Sequence, residues 1–395
     1  MQGHIHRRES RDRKGKPKSL WYVVIDIGRD ANGKRRQKWH GSYPTRKAAE
    51  IARAEIVSAC HRGDYVVPSP ILYGHWLTVA WLPSIKAQVK PSTWNSYERN
   101  VRLHLVKHLG HQQLRHITSL MLNSLYADLM KDGRVDGKGG LSPKSVKYLH
   151  TIIHNSLGDA VDAGLLASNP AARARAPRRL LTPENELRYW TPEQLREFLA
   201  SVAGTRLEAA FHLSALTGMR RGEVLGLRWK DLDFEARRLS VRHSIISVNY
   251  EVLSSTTKSH RARVVDLDPG TVEQLLAQRR RQDGERAEWG DDYQDHGLVF
   301  AKENGEPLHP ESFSHAFQRA ITQTDLPRIR LHDLRHTHAS IALSAGVPIK
   351  VVSERLGHES PSFTLKQYSH VLPGMQAEAA RLIADVVAYG GSSAA

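Results

Sequence analysis

EAAFHLSALTG (208–218) is apolar on nearly every face, the pattern of a helix buried in a core, and it closes on the glycine that commonly ends such helices. The chain runs straight on into MRRGE (219–223), two arginines and a glutamate packed against that stop. Downstream, RRLSVRHSIISV (237–248), EVLSSTTK (251–258) and RARVVDL (261–267) are rich in β-branched residues and predict a three-strand meander. Helical periodicity resumes at TVEQLLAQRRR (271–281) and dominates to the end. Upstream, TPEQ (191–194) is a capping box with proline at the first helical position, and it opens this region, which begins near residue 185. A small antiparallel sheet inside a mostly helical domain makes the region α+β.

Further toward the N-terminus the pattern is helical. A helix introduced by Pro91 places Trp94, Tyr97, Val101 and Leu105 on one face and closes at Gly110. LRHITSLMLNSLYADLMKDG (114–133) and SPKSVKYLHTIIHNSLGDAVDAG (142–164) repeat the form, so a small helical bundle is expected. ASNPAARARAPRRLLTPE (167–184) mixes proline, alanine and arginine without a period and reads as a linker. Ahead of the bundle, SLWYVVIDI (19–27) and KRRQKWHGSY (34–43), joined through DANG (30–33), predict a β-hairpin. TRKAAEIARAEIVSA (45–59) predicts a helix capped by Thr45, with Ala49, Ile51, Ala52 and Ile56 as its apolar positions.

Charge sorts these regions. The 395-residue chain carries 57 Lys and Arg against 41 Asp and Glu, a net charge of +16, which favours a polyanionic partner, nucleic acid first. Residues 1–64 alone hold 16 basic against 7 acidic side chains. Lys34, Arg35, Arg36 and Lys38 are read either as a solvated run or as groove and phosphate contacts. No stretch approaches the roughly 18 apolar residues of a spanning helix, and the first residues lack the apolar core of a secretory signal. The single cysteine, Cys60, has no disulfide partner and reads as a small helix core residue, which fits a reducing cytoplasm.

Five segments of the last region together meet one chemical need: TGMRRGE (217–223), TTKSHR (256–261), HDLRHTH (332–338), RLGH (355–358) and KQYSH (366–370). That need is displacement of an alkoxide from a phosphodiester without water, metal or ATP. Negative charge spreads over the non-bridging oxygens in the transition state, and guanidinium groups meet it best because their fork donates two hydrogen bonds and stays charged. Arg220 and Arg335 are the candidates. A phenol, with a pKa of about 10, needs an acceptor or a cationic field to attack at neutral pH. Its aryl phosphate product remains a good leaving group, so a DNA hydroxyl can expel it and the reaction is reversible.

In this order of residues the chain strongly resembles the tyrosine recombinase, or phage integrase, family, in its large form with an arm-binding N-terminal domain. TGMRRGEVLGLRW (217–229) is similar to the family's first box and assigns the catalytic arginine to Arg220, with Glu223 as supporting carboxylate and Arg221 as a neighbour without that role. The resemblance implies Lys258, between two predicted strands, as general acid for the departing sugar oxygen, with Lys230 as rival. HDLRHTHAS implies His332 and Arg335, LGH implies His358, and Tyr368, ten residues beyond His358, becomes the nucleophile.

It also implies a multidomain α+β fold: a basic arm-type DNA-binding domain over 1–66, a helical core-binding domain over 67–175 and a catalytic domain over 176–395, with 176–185 as linker. The expected partners are double-stranded DNA at core and arm sites, a tetramer of the chain itself, an excisionase and a DNA-bending host protein. No cofactor, metal or membrane is called for. His336 and His338 read as packing or solvent-facing histidines, since no zinc motif accompanies them. The helix MQAEAARLIADVV (375–387), with Ala379, Leu382, Ile383 and Val386 on one stripe, packs within its own domain or docks on a neighbouring protomer. Two rivals share parts of the pattern. A type IB topoisomerase would use the same chemistry without a separate basic front module, and a silent DNA-binding protein would not need the whole residue set.

Overall fold

The structure is a computed structural model, and it describes residues 3–11, 17–29, 33–62, 70–177, 188–248, 251–256, 263–368, 380–381, 383–385 and 387–388. The chain divides into two compact units, Met1–Leu180 and Leu181–Ala395.

In the first unit, strands β1 (Gly3–Arg11), β2 (Pro17–Arg29) and β3 (Arg35–Tyr43) form an antiparallel sheet in the order β1-β2-β3. The predicted hairpin is β2-β3, while β1 was not anticipated. Its charged residues interrupt any apolar alternation, and it joins through backbone pairing from Gly3 opposite Ile25 to Arg11 opposite Pro17. Helix α1 (Arg46–Arg62) covers the sheet, its first turn capped by Thr45, whose Oγ1 accepts from the Ala48 amide at 3.2 Å. Val23, Ile25 and Ala49 are buried between them, with Cys60 packed alongside as expected.

The bundle of the first unit has its own core. A helix runs as Tyr73–His75, Trp76–Trp81 and Leu82–Ile85, a second as Pro91–Asn100, Val101–Leu105 and Val106–Leu109, and the middle segment of each is a wider π-turn. Helices Ser119–Asp132 and Pro143–Asp162 complete it, capped by Thr118 and Ser142. Trp76 and Trp81 bury their rings and Trp94 is half-buried, and their indole N–H groups donate to Ser156 O (3.0 Å), Asp159 Oδ2 (2.6 Å) and Leu82 O (2.9 Å). The stretch read as a linker begins differently from that reading. Asn169 caps a turn over Pro170–Arg173, Ala171 is buried, and the Arg175 amide donates to Asn123 Oδ1 at 2.7 Å. Small residues let this turn close onto the bundle; 178–187 lie outside the described residues.

The second unit opens with the predicted capping box, Thr191 and Gln194, on helix α2 (Pro192–Ser201), followed by α3 (Glu208–Thr217) and the short α4 (Arg221–Leu225). The predicted meander is instead two pieces. Strands β4 (Leu232–Asp233), β5 (Arg238–Val241) and β8 (Arg263–Asp266) form one sheet; β6 (His243–Val248) and β7 (Glu251–Thr256) form a separate hairpin. The chain leaves the ladder at Arg242, whose guanidinium lies 3.9 Å from buried Asp231, so one continuous β-like stretch feeds two sheets. Helices α5 (Pro269–Trp289), α6 (Pro310–Thr322), α7 (Asp333–Ser344), α8 (Ile349–Leu356) and α9 (Pro361–Tyr368) follow. An aromatic core of Trp190, Phe198, Phe211, Phe313 and Phe317 holds α2, α3 and α6 together. Of the C-terminal stripe, Ala379, Leu382 and Val386 lie outside the described residues, and Ile383 is exposed.

Candidate active site

Two glycines let the site close. Gly218, past the end of α3, has φ +64°, and a Cβ there would sit 2.6 Å from Leu356 Cδ2. Gly357, past the end of α8, also has φ +64°, and a Cβ would lie 2.9 Å from Arg263. These stops turn their carbonyls and those of their neighbours inward. Arg335 on α7 is only 4 % exposed and donates to Gly218 O (2.8 Å) and Leu356 O (2.6 Å). Arg220, at the start of α4, donates to Gly357 O at 3.2 Å.

Glu223, three residues into that helix, is the hub. Its carboxylate accepts the Arg220 amide (2.9 Å) and guanidinium (2.8 Å), and also Arg263 at 3.1 and 2.7 Å. Burial alone would raise its pKa, but the hydrogen bonds and charge of Arg263 and the charge of Arg220 outweigh that and hold it at about 2. Burial, and then the charge of Arg220, disfavour the Arg335 cation and lower its pKa to about 9. A cluster of guanidiniums sharing one carboxylate is a site short of negative charge.

The histidines and the tyrosine stand beside it. Tyr368 ends α9, is 1 % exposed, and its hydroxyl lies 2.8 Å from His336 Nδ1. Burial raises the phenol to about 12, against the opposing pull of Arg335. His336 is pushed down to about 4 by burial, with the His332 ring next in weight. One turn before Tyr368 on the same face, buried Thr364 meets His358, Oγ1 to Nδ1, at 2.7 Å. Burial, then Arg335 and Arg220, bring His358 to about 3, so it is a neutral hydrogen-bonding group at physiological pH. His332 heads α7, exposed, its ring edge-on to His336 at 5.3 Å between centroids. Loss of hydration and then the charge of Arg335 lower its pKa.

Five of the predicted residues, Arg220, His332, Arg335, His358 and Tyr368, therefore share one region with Glu223, while Lys258 lies outside the described residues. Arg221 turns away to Ser314 Oγ (2.8 Å), and Lys230 is exposed on the turn Trp229–Asp231. Three contributors were missed. Arg263 was read only as part of a strand. Thr364 gave no signal short of its four-residue spacing from Tyr368. His336 was read as packing or facing solvent, although its four-residue spacing from His332 put it on the same helical face. His338 does pack, Nδ1 facing Ala215 O at 3.1 Å. Among the described residues no group of three His, Cys, Asp or Glu side chains is placed to hold a metal ion, and no helix is long and apolar enough to cross a membrane.

A mostly helical domain with small antiparallel sheets, carrying paired arginines, histidines and a tyrosine at the end of α9, defines a tyrosine recombinase. Comparison with known proteins agrees. Residues 188–374 match the phage integrase family, 77–130 the N-terminal SAM-like domain of phage integrases and 10–59 an arm DNA-binding domain, and the chain belongs to the phage integrase family. It is 28 % identical to a tyrosine recombinase XerC-like protein of Caldanaerobacter subterraneus, covering 93 % of this chain and 97 % of that one. It is 26 % identical to the ICEBs1 integrase of Bacillus subtilis, over 78 % and 81 %. In fold it resembles the Tn1549 transposon integrase solved with circular intermediate DNA (TM-score 0.65, 19 % identity, 79 % of this chain and 99 % of that one). It also resembles the lambda integrase tetramer solved on a Holliday junction (TM-score 0.55, 17 % identity, 91 % and 94 %).

Proposed function

We propose that this chain is a site-specific DNA recombinase that integrates or excises a mobile element, cutting and rejoining strands through a 3′-phosphotyrosine at Tyr368. The observation that carries the reading is the convergence of Arg220 and Arg335 on adjacent carbonyls beside His358, with Tyr368 held on the neighbouring helix. The two guanidiniums keep donors in excess of those used on Gly218, Leu356, Gly357 and Glu223, and these receive the non-bridging oxygens of a phosphodiester. His358, its Nδ1 engaged by Thr364, offers Nε2 to the same phosphate, and His332 orients it from the exposed side. Lys258 protonates the departing 5′ oxygen. The 5′ hydroxyl of another strand later reverses the step, without ATP, because the phosphotyrosine retains the bond energy.

Around this chemistry, residues 1–66 bind arm sites, 67–175 and 176–395 take core DNA, and four copies assemble for exchange. The tetramer on a Holliday junction formed by lambda integrase supports that last element. An excisionase and a DNA-bending host protein are the accessory partners of such a reaction, and the nucleoid is where it takes place.

A nicked duplex bearing the end sequence of the element that encodes the chain, incubated with the protein and excess EDTA, is expected to give a covalent protein–DNA species. Tyr368→Phe abolishes it and leaves DNA binding intact. Adduct formation by the Phe variant, or a strict metal requirement, overturns the reading. Removing residues 1–64 is expected to spare core cleavage and impair recombination that needs arm sites.

A further inference from the structure

We propose that His336 is a catalytic residue, the base that takes the proton from Tyr368 as its oxygen attacks phosphorus. The proposal rests on the reading of Tyr368 as nucleophile.

The geometry distinguishes His336 from the other histidines. A general base must reach the proton it removes, within roughly 2.6–3.2 Å between heavy atoms, and His336 Nδ1 lies 2.8 Å from Tyr368 Oη. His358 has its Nδ1 committed to Thr364. His332 is exposed, meets His336 edge-to-face, and has no hydrogen bond to Tyr368 among the described residues. Tyr368 is buried, so water does not substitute readily as acceptor. Imidazole nitrogen and phenol are a matched pair only if the nitrogen is unprotonated, and the low pKa of His336 supplies that form. Asp333, Arg330, Arg335, His332, His358 and Tyr368 are the charged and titratable groups that act on its ring.

The step balances. The Tyr368 Oη–P bond forms as the P–O5′ bond breaks. The phenolic proton moves to His336 Nδ1, and the 5′ oxygen takes a proton from Lys258. With the phenol at about 12 and the imidazole at about 4 the pair is poised against transfer, so the proton stays on oxygen. A phosphodiester held by Arg335 and Arg220 brings negative charge next to the ring, which favours the imidazolium. Deprotonation is thereby tied to the presence of DNA.

The test uses the full chain and the same nicked duplex, with tyrosine or 3,5-difluorotyrosine at position 368. His336→Asn keeps an acceptor oxygen near the Nδ1 position but cannot take a proton, and His336→Gln is the second variant. Single-turnover adduct formation by either is expected to fall about 100-fold with tyrosine, within the range general base catalysis supplies. With the more acidic phenol the deficit is expected to shrink to under about tenfold, because a nucleophile that gives up its proton more readily depends less on a base. That ratio is independent of how much variant protein is folded. Cleavage by His336→Asn at the wild-type rate, or a deficit unchanged by fluorination, overturns the proposal and leaves Tyr368 as nucleophile. An adduct formed by Tyr368→Phe overturns the underlying reading instead.

Discussion

Arg335 and Arg220, drawn from segments more than a hundred residues apart, donate to consecutive carbonyls, Leu356 at 2.6 Å and Gly357 at 3.2 Å. The next residue is His358. One tight stop at the end of α8 thus sets both guanidiniums and the histidine at once, and the left-handed glycine that makes the stop is a single point of failure.

Gly357→Ala is therefore expected to cost about 1–2 kcal/mol for an L-residue in left-handed backbone. It should further displace Arg263, 2.9 Å from the new methyl, and lower cleavage beyond the loss of folded protein. Denaturant unfolding with adduct assays at matched folded fraction checks this; full activity per folded molecule would contradict it.

Glu223→Gln leaves Arg220 and Arg263 without their shared charge, and a loss of about 3 kcal/mol is expected at pH 7. The pH dependence has a definite sign. The folded carboxyl sits at about 2 against an ordinary 4.5, so its stabilisation is complete above 4.5 and is lost as pH falls toward 2. The wild-type advantage over the Gln variant in urea melts should narrow over that window; a constant gap would remove the charge from the account.

Sulfate or inorganic phosphate is expected to stabilise the DNA-free protein, because burial and Arg220 strain the Arg335 cation and an anion relieves it. At ten times Kd the gain is roughly 1.4 kcal/mol. Thermal melts in sulfate against chloride at equal ionic strength measure it. The gain should vanish in Arg335→Ala, and an equal gain in that variant would put the anion elsewhere.

Thr364→Val removes the hydroxyl from His358 in a site that is fully buried, with little change of shape. Adduct formation is expected to fall about tenfold, equivalent to roughly 1.4 kcal/mol of transition-state stabilisation. DNA affinity should hold. Filter binding beside single-turnover cleavage separates the two, and a matched loss of affinity would make the contact one of ground-state binding.

The elements with local causes were legible before the structure: the capping box at Thr191, the stop at Gly218, the Thr45 cap and the apolar faces of the bundle. What escaped was decided by partners distant in sequence. β1 is held by its backbone pairing with β2 and by side chains such as Arg7, which donates to Ser19, and Ile5, which packs on the small core, so its charged, non-alternating sequence gave no sign of a strand. Arg242, where the chain leaves the ladder, lies 3.9 Å from Asp231, and the linker closes early on Asn123, contacts that periodicity cannot report. In the site, motif order brought Arg220, Arg335, His358 and Tyr368 forward. Arg263 and His336 emerged only from the distances, because an arginine in a strand and a histidine on a helix have many ordinary uses.

Helix α9 is only eight residues long, yet it carries both Thr364 and Tyr368 on one face. Sliding or turning it by a single residue would part Tyr368 from His336 and Thr364 from His358 together. The proposed nucleophile and the histidine proposed to meet the phosphate are thus wired to the same lever. Cutting competence should switch as one event, all or none, so that no half-armed protomer can attack DNA with its phosphate poorly held.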